Sequence, residues 1–360
     1  MSTALATRPL VSEPAGTSLA RYAIILGIAR GDLKDAQAMA AARPDARHLA
    51  KAFELASLEK AAVGVQHTEV FTGALTSAGL VQDALLLLRD LSVFDRLQSR
   101  MMRVPFLIPA PRQTSTGAAG SWRAEGRATP VSAFAFDTIR LEPHMASALT
   151  VVVNELLKMN NPGSEAAIRG AILNGIAAYV DFQFLSPSVT ASDANPASIT
   201  AGGTAVVSTG STAAQMTTDF AAMLDAVTTS GRGLTWILQP QTAARIALVL
   251  GAAADFPRSF LGLPVVISGN SPQQVTLADL AEIAFADDGG FSLTLSEQAA
   301  LQMDTAPTNA GVTIGSPSDP PTATSLVSLF QNNLTAFKAS RWLSWEVLRT
   351  GAVAYMTTAY

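Results

Sequence analysis

The stretch Met102-Arg103-Val104-Pro105-Phe106-Leu107-Ile108 sets Met102, Val104, Phe106 and Ile108 against Arg103, Pro105 and Leu107 in alternation. A period of two is that of a strand, and Pro105 is tolerated in one only where no ladder hydrogen bond is needed. From Pro109 to Gly120 the chain turns to Gly, Ser and Thr, and from Trp122 to Leu141 it reads as extended again. Two extended runs around a small-residue stretch predict a long β-hairpin with a loose tip, spanning residues 101–148. The arm carries Arg100, Arg103, Arg112, Arg123, Arg127 and Arg140 but few aliphatic side chains, so it cannot bury two faces by itself. It needs another surface to lie on.

Upstream the texture is helical. Residues 1–65 are Ala-rich, with Ser18 placed to cap a helix over Leu19–Arg30 and a second run over Asp45–Lys60 after Pro44, which reads as a small, separable helical segment. Within residues 66–100, Leu88, Leu91, Phe94 and Leu97 fall three apart along a run from Val81 to Leu97, the spacing of a packed core helix. Downstream, Leu149–Val153 is a β-branched run. Asn161-Pro162 then opens a helix in the favoured order of cap and first-turn proline. Ile168, Ile172, Ile176 and Val180 recur every four residues as its packing stripe, and to Phe184 the helix would be roughly 30 Å long.

Residues 186–212 are a Ser/Thr/Ala/Gly loop by composition. The remainder predicts a helix carrying Phe220, Leu224 and Val227 and ending near Gly231, a strand Leu234–Leu238, a helix from Pro240 to Gly251 and a strand Pro264–Ile267. Phe291–Met303 and Leu334–Met356 read as β segments, separated by a linker holding Pro307, Pro317, Pro320 and Pro321. Strands and helices in alternation imply a layered unit, and the whole chain reads as α+β.

Composition narrows the chemistry. The 360 residues are 49% hydrophobic and 14% charged, with a net charge of -4, no Cys, and only His48, His67 and His144. That core-forming fraction excludes global disorder. The missing Cys excludes disulfides, thiolate nucleophiles and Cys-held metals, and the scattered His leave few routes to a metal site. The apolar run Tyr22–Ala29 has Arg at both ends and is too short to span a bilayer. It also lacks the pattern of a leader, so the expectation is a soluble intracellular product with no membrane partner. There is no G-x-S-x-G elbow, P-loop, H-E-x-x-H or dinucleotide fingerprint. Gly202-Gly203 reads as linker, Asp287-Asp288-Gly289-Gly290 as a tight turn, and His144 as a structural residue. Glu125 between Arg123 and Arg127 reads as part of an ion-pair set rather than a general acid. No catalytic, cofactor-binding or metal residue is predicted.

Four stretches carry a resemblance. They are Ser121-Trp122-Arg123-Ala124-Glu125-Gly126 leading through Pro130 to Phe134-Ala135-Phe136-Asp137; Val151-Val152-Val153-Asn154-Glu155-Leu156-Leu157; Phe260-Leu261-Gly262-Leu263-Pro264-Val265-Val266; and Phe330-Gln331-Asn332-Asn333-Leu334-Thr335-Ala336-Phe337, running through Trp342 to Arg349, Gly351 and Ala352-Val353. In this order, over residues 66–360, the chain resembles the major capsid proteins of tailed bacteriophages, of the Hong Kong 97-type fold.

The resemblance implies an axial domain (189–290 and 348–360) and a peripheral domain with a spine helix (149–188 and 291–347). It makes the hairpin an arm across a neighbouring subunit, with Arg112, Trp122, Arg123, Glu125, Arg127, Phe134 and Phe136 in contact. It further implies assembly with itself into pentamers and hexamers in the bacterial host cytoplasm, ending in the virion capsid. Portal, scaffold and maturation protease are the implied partners, and packaged double-stranded DNA is held non-specifically. The sequence departs from the named phage's crosslinking chemistry, because no Lys lies between Lys60 and Lys158. Residues 1–65 stand where such proteins often carry a cleaved scaffolding segment. The rival readings are an encapsulin-like nanocompartment shell around protein cargo, and an α/β hydrolase or ligand-binding protein built on residues 213–290.

Overall fold

A computed structural model describes residues 17–54, 88, 91–113, 122, 125, 136–158, 162–229, 231–251, 254–255, 259–290, 292–302 and 326–358. In chain order the elements begin with helices α1 (Thr17–Ile28), α2 (Leu33–Ala42) and α3 (Val93–Leu97). Strands β1 (Met102–Arg103), β2 (Ala110–Gln113), β3 (Phe136–Ile139) and β4 (His144–Val153) follow, then α4 (Asn154–Lys158) and α5 (Pro162–Leu185). Next come β5 (Thr204–Ala205), α6 (Ala213–Ala226), β6 (Leu234–Leu238), α7 (Pro240–Leu250), β7 (Ala254–Asp255), β8 (Ser259–Phe260), β9 (Leu263–Ile267), β10 (Gln274–Asp279) and β11 (Ile283–Asp287). The last are β12 (Ser292–Ser296), β13 (Ala300–Gln302), β14 (Leu326–Ser328), β15 (Leu334–Val347) and β16 (Val353–Thr357).

The chain divides into two units. The first draws on Met1–Leu87, Ala148–Leu173 and Phe291–Ala339. Its α1 is apolar nearly all round, and Leu19, Tyr22, Ile24, Ile25 and Leu26 are all buried, which marks an interior helix rather than a surface one. Tyr22 stacks on Phe53 with centroids 4.4 Å apart, and burial pushes its phenol above the ordinary value. Helix α1 belongs to the segment expected to be separable, and it packs on other parts of its unit. A Cβ at Gly27 would stand 3.0 Å from Leu157 and 3.6 Å from Phe337, so the helix packs closely on the side chains of its unit there. Helix α2 replaces part of what reads as a connector, capped by Asp32, whose carboxylate accepts from the amides of Lys34 at 2.8 Å and Asp35 at 3.3 Å.

The second unit holds Leu88–Ser147, Asn174–Gly290 and Ser340–Tyr360. Seven strands lie in the order β5-β16-β10-β6-β9-β8-β7. β10 is antiparallel to both β16 and β6, while β6 is parallel to β9 and β5 to β16. The central strands β6 and β10 are buried along almost their whole length, as strands covered on both faces are, and the two edge strands β5 and β7 have two residues each. Trp236, Phe220 and Phe260 meet edge to face at the core, with centroids 4.8–5.7 Å apart. Helix α6 packs through Met216, Phe220 and Met223, whereas Leu224 is exposed; the predicted Phe220–Leu224–Val227 stripe is thus rotated by about one residue. A capping box between Thr212 and Gln215 starts this helix. Gly251, at φ 58°, closes α7 after Pro240 opens it.

Strand β1 is parallel to β11, which is antiparallel to β15 through Ile283↔Val347 to Asp287↔Leu343. The alternating run Met102–Ile108 is a strand only over its first two residues. Leu107 sits at φ 62°, a left-handed conformation that ends an extended run. The hairpin ladder therefore forms later, between β2 and β3, through Ala110↔Ile139 to Gln113↔Phe136. The predicted Leu334–Met356 segment is two strands, broken where Gly351 takes φ 78°. The Asp287–Gly290 turn is present, with the amide of Gly289 donating to Asp287 and that of Gly290 to Asp288. Helix α5 matches its predicted start and passes its predicted end by one residue. Residues 81–87 of the predicted core helix lie outside the described residues.

Candidate functional site

The hairpin root is built from one guanidinium. Arg112 on β2 stands directly across the ladder from Asp137 on β3, to which it donates at 2.8 Å, and it also donates to Glu346 on β15 at 3.2 Å. One side chain thus ties the two arm strands to each other and to the sheet beneath. Hydrogen bonds from the Thr138 amide and from Arg112 hold the Asp137 carboxyl below its usual range. Burial outweighs Arg112 at Glu346 and pushes that carboxyl up. Under the clip, Val104, Ile139, Leu141, Ala284 and Ala286 form a small apolar cluster, so the root is fixed by packing as well as by charge.

Beside it lies a fully buried ion cluster. Arg341 donates to both oxygens of Asp95, at 3.0 and 2.7 Å, and to Asp287 at 2.5 Å. The amide of Gln98 reaches Asp95 at 2.9 Å, and the guanidinium lies 6.0 Å from the centre of the Phe94 ring. Burial opposes the charge on Arg341, but the two carboxylates more than restore it and push its proton affinity up. On α5, Asp181 is buried and accepts from Ser92 Oγ at 2.7 Å and from the amides of Val93 and Phe94 at 2.9 and 3.1 Å. A carboxylate on the first turn of α3 complements the exposed amides there, yet its burial still pushes it up.

A cavity of about 490 Å³ opens next to the hairpin root, lined by Arg140 and Glu142, which follow β3, and by His144, which opens β4. Trp345 is part of its lining, held by a 2.8 Å hydrogen bond from Nε1 to the carbonyl of Ala197 and by edge contact with Phe184. His144 Nδ1 lies 3.4 Å from Ser344 Oγ.

The sequence-derived residues separate by exposure. Trp122 is 104% exposed and Phe136 68%, and Glu125 is exposed as well. Arg112 is engaged within its own chain. Ile172, Ile176 and Val180 are buried, as a packing stripe requires. Arg123, Arg127, Phe134 and the side chain of Ile168 lie outside the described residues. Asp95, Asp287, Arg341 and Glu346 escaped the sequence reading, because partners 246 and 54 residues apart leave no local pattern. Among the described residues no three His, Asp or Glu side chains gather as a metal site, and no helix is long and apolar enough to cross a membrane.

A hairpin braced at its root, a long helix and a mixed sheet flanked by two helices make an α+β protein of the Hong Kong 97-like fold. Residues 107–358 match the model of the Phage capsid family, and the chain belongs to that family. It is 31% identical, over 371 aligned positions, to the capsid polyprotein of Pseudomonas phage PAJU2. The match covers 96% of this chain and 54% of that protein, so the chain spans about half the length of the curated relative it matches. Among solved structures, that of Gordonia phage Cozz aligns with a TM-score of 0.50 at 16% identity, over 73% of this chain and 86% of that one. This likeness supports the fold.

Proposed function

We propose that this chain is the major capsid protein of a tailed phage or prophage, assembling with itself into an icosahedral head shell that encloses double-stranded DNA. The observation that carries the reading is the contrast along the arm. Its root is clamped by Arg112 and an apolar cluster, while Trp122 and Phe136 are exposed. An arm held in direction at its root, with Trp122 and Phe136 uncovered, is built to cover a neighbour, and repeated contacts of this kind close by symmetry. The buried residues Ile172, Ile176 and Val180 support α5 as the spine of a peripheral domain over 149–188 and 291–347. The seven-stranded sheet supports an axial domain over 189–290 and 348–360.

Portal, scaffold and maturation protease are the partners this role calls for, with residues 1–65 as the segment a protease would remove. A wall of near-neutral charge suits DNA as cargo, because a strongly cationic one would trap phosphates during packaging. Negative-stain microscopy of the purified chain tests the shell, with closed uniform particles expected and a species that stays monomeric at high concentration overturning it. Nucleic acid extracted from particles made in infected or induced cells separates a genome container from a protein-filled compartment.

A further inference from the structure

We propose that Trp122 of one copy seats in the roughly 490 Å³ cavity beside the hairpin root of the next copy. The inference rests on the shell reading and names the contact that the arm makes. Three observations carry it. Trp122 is 104% exposed, so the indole touches nothing in its own chain and does not occupy its own cavity. The β2–β3 ladder runs from Ala110↔Ile139 to Gln113↔Phe136, so over those residues it heads away from Arg140 and the cavity that begins there. Trp122 lies nine positions beyond Gln113, a covalent reach of at most about 30 Å, enough to reach another protomer.

The cavity suits the ring. Its lining includes Pro196, Ile199, Val347 and Ala352 around the fixed face of Trp345, a surface against which an indole packs in offset or edge geometry. Arg140 also lines the cavity and is exposed, so its guanidinium can stack on an indole face; Arg349, another lining residue, is paired with Glu282 at 3.7 Å. Glu142, exposed and lining the same cavity, gives it an acidic group, and the sequence carries a basic residue, Arg123, directly after Trp122. The contact is heterologous, since the arm of one copy meets the root of another, and such contacts generate rings.

The test uses the absence of Cys from the chain. Gly202 lines the cavity, and a Cβ placed there meets nothing within 4 Å, so Gly202→Cys is compatible with the fold. The double variant Trp122→Cys/Gly202→Cys, oxidised after assembly and run on a non-reducing gel, should give covalent oligomers rising by one chain mass. Neither single variant should form that ladder. Particles of wild-type appearance without crosslinks overturn the docking site and leave the shell intact, as does a bridge confined within one chain. A double variant whose chain stays monomeric, beside a wild-type chain that assembles, is read through Trp122→Ala. That variant should raise the concentration needed for assembly by at least about tenfold, and unchanged assembly overturns the proposal. A wild-type chain that never associates overturns both readings.

Discussion

Two guanidinium groups of the second unit each hold two carboxylates, and they differ in how much water they meet. The side chain of Arg341 is 1% exposed, with its partners Asp95 and Asp287 at 6% and 7%. That of Arg112 is 26% exposed, with Asp137 and Glu346 at 52% and 40%. In the first, three charges removed from water are tolerable only because every one of them is bonded, so the cluster stands or falls together. In the second, solvent screens the attraction and little net energy is at stake. What remains is direction. The same chemistry therefore fastens a core in one place and aims an arm in the other.

The comparison breaks or sharpens by substitution. Arg341→Ala strands two buried carboxylates and should cost about 3–5 kcal/mol, read as a lower urea midpoint. A loss no larger than that of the exposed clip would end the distinction. Arg112→Ala should cost about 1 kcal/mol or less in the same measurement, while releasing the arm from the sheet. Faster hydrogen exchange at the amides of β2 and β3 would show the release, and unaltered exchange would mean the apolar cluster alone sets the arm.

Glu346→Gln has the smallest expected effect, at most about 0.5 kcal/mol, and its signature is in pH. Because the folded-state value of Glu346 lies above its ordinary 4.5, ionisation works against the fold, and the native chain loses stability as pH rises through that window. The Gln variant should lack this loss. Asp137 acts with the opposite sign, since its folded value is lowered below the ordinary 3.8. Its contribution is present above that pH and fades as pH falls through the lowered value. Thermal midpoints of chain and variant between about pH 3 and 7 should converge or cross with pH, and a constant offset would refute the assignment.

Local signals carried much of the fold. The Asn161-Pro162 start and four-residue recurrence gave α5, the apolar run gave β6, and Pro240 with Gly251 bracketed α7. Helix α2 was missed although Asp32 before Leu33 is a legitimate cap, because the Ala-rich run that follows has only a weak apolar stripe. The Met102–Ile108 alternation misled, since a period of two cannot show that Leu107 turns left-handed. At the arm, exposure of Trp122 and Phe136 fits a sequence with few aliphatic residues to cover them. The ion cluster was illegible because Asp95, Asp287 and Arg341 meet only once the strands are in register. The cavity was equally hidden, as its walls come from three distant loops and strands.

The seven-stranded sheet narrows to two-residue strands at both margins, β5 and β7. Long bare margins invite any extended chain to add itself on, whereas such short ones offer too few backbone groups to recruit a stranger. A protein made in many copies within one cell meets its own half-folded siblings constantly. In the proposed shell, such blunt margins would leave side-chain docking as the route by which copies join, keeping association selective even in a crowd of identical chains.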